Sequence, residues 1–108
     1  MVRDELLRLR ASAEAEAATL ARDLEALFTA SRDSNADDEH DPEGATIGFE
    51  RAQLTALLAA ARRRSAEVDE ALRRVDAGTY GACERCGQPI AEERLAARPF
   101  ARSCVACV

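Results

Sequence analysis

Between Asp4 and Phe28 apolar residues return at Leu6, Leu9, Ala13, Ala17, Leu20, Leu24 and Leu27, in steps of three and four. That period lays them along one stripe of a helix, and neither Gly nor Pro interrupts it. A second run, Leu54, Leu58, Ala61, Ser65, Val68, Leu72 and Val75, keeps steps of 4, 3, 4, 3, 4 and 3. This is the heptad seam of a helix that packs lengthwise on another. Residues 29–44 lose the period and collect Ser, Asn, Asp, Pro and Gly, so a loop is expected there. Asp41-Pro42-Glu43 then reads as an N-cap, a proline at the first helical position and an acid in the first turn. Gly44 and Gly48 weaken the opening turns by roughly 1 kcal/mol each relative to Ala. Gly78 supplies the stop after Asp76-Ala77. Two seams joined by a polar loop predict a mainly α fold, an antiparallel two-helix coiled-coil hairpin over residues 1–77. The competing arrangement is an intermolecular coiled coil with the loop as linker. At 1.5 Å per residue the second helix should be about 50 Å long and the first roughly 35 to 40 Å, placing loop and C-terminal segment at opposite ends of a rod.

Composition narrows this picture. Of the 108 residues 47% are hydrophobic, but much of that is Ala, aromatic residues make up 4% and Trp is absent, so a large globular core is not expected. No stretch approaches the ~20 apolar residues of a membrane span, and Met1-Val2-Arg3-Asp4 does not open a signal peptide. A cytoplasmic protein with no membrane partner, working as a monomer, is the expectation. The net charge is −5, and its distribution matters more than its size. Residues 1–28 carry −2, 29–44 carry −5, and 45–82 and 83–108 carry +1 each. The expected loop alone matches the charge of the whole chain. Nothing here resembles a nucleic-acid-binding patch. The run Arg62-Arg63-Arg64 fans out at 100° per residue and reads as a solvated helix face.

The chemistry lies at the other end. Cys83-Glu84-Arg85-Cys86 and Cys104-Val105-Ala106-Cys107 are two Cys-x-x-Cys hooks separated by seventeen residues, and the chain has no other cysteine. A two-residue gap lets both thiolates of a hook face one ion, and two hooks close a tetrahedron around a single Zn²⁺. Gly87, directly after the first hook, is free to take positive φ and turn backbone N–H groups toward the sulfurs. Paired disulfides, a thioredoxin-like redox motif and unrelated buried thiols are the competing readings, and the spacing favours zinc over all three. With four sulfurs on the metal no position stays open for water, so one structural zinc per chain is expected, bound by Cys83, Cys86, Cys104 and Cys107 in a module spanning 78–108. Tyr80, Ile90, Leu95, Pro99 and Phe100 are expected to cluster against it, too small a group to fold without the metal. His40, the sole histidine, has no Ser, Cys or second His beside it and is assigned no role. No nucleophile–base pair and no phosphate-cradling Gly loop occurs, which argues against an enzyme.

The pattern Tyr80-Gly81-x-Cys83-x-x-Cys86-Gly87-x-x-Ile90-x-x-x-Arg94-Leu95-x-Ala97-x-Pro99-x-x-x-x-Cys104-x-x-Cys107 resembles the zinc finger of the DksA/TraR family of bacterial transcription factors. The resemblance covers about a quarter of the chain, and the hairpin before it agrees with that family's coiled coil. It implies a regulator that binds RNA polymerase without binding DNA, inserts the coiled coil into the secondary channel and brings acidic tip residues near the catalytic centre. Asp37, Asp38, Asp41 and Glu43 are the tip candidates. The family tip commonly reads Asp-x-x-Asp-x-Ala, often with Pro after the first Asp. Matching on Pro42 makes Asp41 the first acid but puts Gly44 at the second, whereas matching on Asp38 and Asp41 keeps both acids and puts Glu43 where Ala belongs. Some members act with ppGpp, which longer members bind partly through a helix beyond the zinc module. The chain stops at Val108, so the resemblance lends ppGpp less weight as a cofactor than zinc.

Two other classes fit parts of the sequence. A transcript-cleavage-type accessory factor would use Asp37, Asp38, Glu39, Asp41 and Glu43 to hold a second Mg²⁺, since hard cations take carboxylate oxygens. A zinc-ribbon module binding DNA, or a protein unrelated to polymerase, would use the hooks alone. The negative balance speaks against DNA.

Overall fold

A computed structural model describes residues 2–33 and 42–107. Two long helices, α1 (Val2–Asp33) and α2 (Pro42–Ala77), form a hairpin, followed by a one-and-a-half-turn helix α3 (Glu92–Ala97) and a 3₁₀ turn at Val105–Cys107. Among the described residues the one β contact is an isolated antiparallel bridge between Ala82 and Pro89. No helix there is long and apolar enough to cross a membrane.

Helix α1 runs five residues beyond Phe28, through Thr29 to Asp33, into the stretch expected as loop. Residues 29–33 are mostly polar but contain no Gly or Pro, and the Thr29 hydroxyl folds back onto the carbonyl of Glu25 at 3.1 Å. Polarity ends a buried stripe. It does not by itself end a helix. Helix α2 begins at Pro42, whose missing N–H costs nothing in a first turn. Asp37, Asp38, His40 and Asp41 lie outside the described residues, and Glu43 falls in the first turn of α2.

The chain forms two compact units, Ala13–Arg63 and Met1–Ser12 with Arg64–Val108. In the first, Ala13, Leu58 and Ala61 are buried, and Arg51 lies over the ring of Phe28 at 5.5 Å from its centroid. The small side chains of Ala13 and Ala61 let the helices approach closely. The cation–π contact adds about 0.5–1 kcal/mol near the surface.

The second unit holds the larger core. Leu6, Val68, Ala71 and Leu72 form its buried cluster, with Leu7, Val75, Tyr80 and Phe100 packed against it. Of the expected seam residues in this unit, Leu6, Val68 and Leu72 are buried and Val75 is half-buried, whereas Leu9 is 36% exposed. The same face is bordered by ion pairs from Arg3 to Asp76 and from Arg10 to Asp69, the latter at 3.1 Å. They set the first turns of α1 against the last turns of α2, the antiparallel register. Both are partly solvated and are worth about 0–1 kcal/mol each.

Helix α2 ends on Gly78, which takes φ +78°. The N–H of Thr79 donates to the Arg74 carbonyl at 2.9 Å and that of Gly78 to the Val75 carbonyl at 3.2 Å. This pair of bonds is a Schellman motif, and it turns the chain from the helix toward the cysteines. Tyr80 and Phe100 were expected to cluster with Ile90, Leu95 and Pro99 at the metal. In the structure both also pack on the end of the hairpin, so part of the apolar support for the cysteine module comes from α1 and α2.

Candidate metal centre

The first hook sits in a tight loop closed by the Ala82–Pro89 bridge. The N–H of Cys83 donates to the Gln88 carbonyl at 2.8 Å, and Ile90 donates to Gly81 at 2.7 Å. Gly87 takes φ +76° and its N–H returns to the Cys83 carbonyl at 2.9 Å. An L side chain there would force the left-handed conformation that glycine adopts freely. The second hook lies in the 3₁₀ turn, where Cys107 N–H donates to the Cys104 carbonyl at 3.0 Å. The backbone bond from Glu84 N–H to the Arg102 carbonyl at 2.9 Å ties the first hook to the segment leading into the second.

These turns bring Cys83, Cys86, Cys104 and Cys107 together with all four sulfurs within 4.8 Å of one another. Cys86 Sγ and Cys104 Sγ are 3.7 Å apart. A tetrahedron with Zn–S bonds of about 2.3 Å has edges of about 3.8 Å, so the cluster needs only a small contraction to take one zinc ion. Cys83 is buried, Cys104 and Cys107 are half-buried and Cys86 is exposed, so the site lies at the surface with one wall in the protein.

Electrostatics point the same way. The backbone N–H of Cys104, then that of Cys86, holds the Cys83 thiol down to about 6 against the effect of its burial. Hydrogen bonding to the Cys104 thiol, then to those of Cys86 and Cys83, pushes Cys107 up to about 12. The Gln88 N–H draws Cys86 down, but the neighbouring thiols of Cys83 and Cys104 and burial outweigh it and leave Cys86 raised. Four thiols this close cannot all ionise beside one another. A divalent cation removes the conflict, since it favours the thiolate at every position at once.

Several supporting hydrogen bonds were not expected from the sequence, which assigned Tyr80 only a packing role and Arg74, Arg85 and Arg94 no structural one. Tyr80 Oη donates to the Pro99 carbonyl at 2.7 Å. Three arginines from three places grip carbonyls of the segment that carries the second hook. Arg74 reaches Phe100 at 3.3 Å, Arg94 reaches Ser103 at 2.9 Å and Arg85 reaches Cys107 at 3.2 Å. Arg94 and Tyr80 stand inside the cysteine motif, and that placement was the one available signal.

A helical hairpin whose C-terminal portion gathers two Cys-x-x-Cys hooks on one point defines a C4-type zinc finger protein. Residues 78–107 match the prokaryotic dksA/traR C4-type zinc finger family. Over residues 78–107 the chain carries the zinc finger of the DksA/TraR family. It is 52% identical over 40 residues to the RNA polymerase-binding transcription factor DksA of Caulobacter vibrioides, 37% of this chain and 28% of the relative. It is 39% identical over 72 residues to general stress protein 16O of Bacillus subtilis, 67% of this chain and 44% of the relative. The chain thus spans less than half the length of these curated relatives. The structure of transcription factor DksA2 from Pseudomonas aeruginosa superposes with a TM-score of 0.80 at 29% identity, over 98% of this chain and 76% of that one.

Proposed function

We propose that this protein is a transcription regulator that binds RNA polymerase, enters its secondary channel with the hairpin and carries acidic residues toward the catalytic centre. The observation that supports this most is the match of nearly the whole chain to a transcription factor of the family. A name shared through the zinc finger alone would say less, because zinc fingers recur with many partners.

The division of labour we propose is a hairpin over residues 1–77 that probes the channel and a zinc-held module over 78–108 that fixes its base. Cys83, Cys86, Cys104 and Cys107 hold one zinc, whose task is to keep the module folded. Asp37, Asp38, Asp41 and Glu43 are the proposed tip residues, within a stretch of residues 29–44 that carries a net charge of −5. A charge of that sign suits a site where Mg²⁺ and nucleotide phosphates meet, and it disfavours direct binding to DNA.

The test is capture of core RNA polymerase on the tagged, zinc-loaded chain, followed by competition with a known secondary-channel binder. Retention that the competitor displaces is the expected result. Failure to retain polymerase, or tight binding of duplex DNA in a low-salt shift assay, overturns the proposal.

A further inference from the structure

We propose that Arg94 is a positioning residue of the metal centre, holding the Ser103–Cys104 peptide and with it the second hook; this rests on the reading that the four cysteines bind zinc. Arg94 Nε donates to the Ser103 carbonyl at 2.9 Å. That carbonyl and the N–H of Cys104 belong to one planar peptide unit, and in the trans form they point in opposite directions. That N–H belongs to Cys104, whose sulfur lies 3.7 Å from that of Cys86 in the first hook. A guanidinium therefore grips the peptide that carries a ligand of the second hook, and the bond is of the stronger, charge-assisted kind.

The two hooks differ in why they need this. In the first, Gly87 at φ +76° closes the turn by itself. The second has Val108 where the first has that glycine, and Val105 within it is 75% exposed, so packing of that side chain does not hold it. Its brace must come from outside. Arg85 supplies one bond to the Cys107 carbonyl at 3.2 Å, from an exposed position. Arg94 is better placed, being half-buried and carried by α3, whose Leu95 lies beside Gly81 at the start of the first hook. The position of the first hook is thereby passed to the second through one side chain.

The experiment uses the full chain loaded with zinc, and with Co²⁺ as a spectroscopic reporter, in wild type, Arg94→Gln and Arg94→Lys. Arg94→Gln is expected to keep one metal per chain and the tetrathiolate cobalt spectrum with displaced d–d bands. It should release zinc to a chromogenic chelator about 10- to 100-fold faster, the usual effect of losing an outer-shell partner. Arg94→Lys, which keeps the charge, should recover part of the slow release, a rescue that a packing role would not give. Release by Arg94→Gln at the wild-type rate overturns the proposal. So does faster release matched by an equal loss of helicity, which would mark a general folding defect. A wild-type chain that binds no stoichiometric zinc overturns the underlying site as well, so the two failures are distinguishable.

Discussion

The phenol of Tyr80 donates to the carbonyl of Pro99 at 2.7 Å, tying the turn that enters the first hook to the segment that leads into the second. Burial, then the carboxylate of Glu5, raises this phenol above its ordinary value of 10.0. A folded-state value above the unfolded one means that the stabilising contribution is whole below pH 10 and fades as pH climbs through the raised value. Tyr80→Phe should cost about 1 kcal/mol at pH 8, the worth of one hydrogen bond, and should flatten the loss of stability as pH rises above 10. Urea midpoints of both proteins across that range are the check, and parallel decline would refute the assignment.

Leu6 is fully buried, among Val68, Ala71 and Leu72, whereas Leu9 on the same helix is 36% exposed. Leu6→Ala should cost about 2–5 kcal/mol and Leu9→Ala well under half of that. Since Tyr80 and Phe100 pack on the same cluster, Leu6→Ala should also hasten zinc loss. Equal urea midpoints for the two variants would mean that the helix faces are misassigned.

Two glycines with open space around them should respond in opposite ways. Gly87 has no atom within 4 Å of an added Cβ but sits at φ +76°, so Gly87→Ala should cost about 1–2 kcal/mol, seen as weaker zinc retention. Gly48 has equal room within α2, and Gly48→Ala should stabilise the helix by roughly 0.5–1 kcal/mol. Thermal denaturation and metal content decide both.

Cys104→Ser should release zinc and unfold the 78–107 segment while leaving much of the helical signal, and chelation of the wild-type metal should do the same. Stoichiometric zinc in the Cys104→Ser protein would contradict a four-thiolate site.

Asp38→Asn with Asp41→Asn should leave zinc content and polymerase affinity largely intact while removing the effect on transcription in a purified initiation assay. An equal fall in affinity would make these residues a docking surface.

How far such positions can be read from sequence depends on the range of the physics involved. Helical periodicity is local, so the stripes from Leu6 to Leu27 and from Leu54 to Val75 announce two helices without knowledge of their contacts. Hook spacing is equally local, and it identified the four cysteines that the structure brings together. Ala71 was missed because a small residue beside the seam carries little hydrophobic signal, yet it is fully buried. The pairs Arg3–Asp76 and Arg10–Asp69 need the register between helices, which no single stripe contains. Arg74, Arg85 and Arg94 were invisible as braces for a similar reason. Their acceptors are backbone carbonyls, which every residue carries, so only geometry reveals which one is chosen. The end of α1 lies past the last apolar residue of its stripe because the run from Thr29 to Asp33 contains no residue that breaks a helix.

Among the described residues Leu6 and Val68 are the largest side chains buried completely, and Ala13, Ala61, Ala71 and Ala101 fill much of what remains. Such interiors hide little hydrocarbon from water, so the heat-capacity increment of melting should fall below the usual 12–15 cal/mol/K per residue or so. Its free-energy curve would then be flat instead of tall, with stability changing little from one temperature to the next.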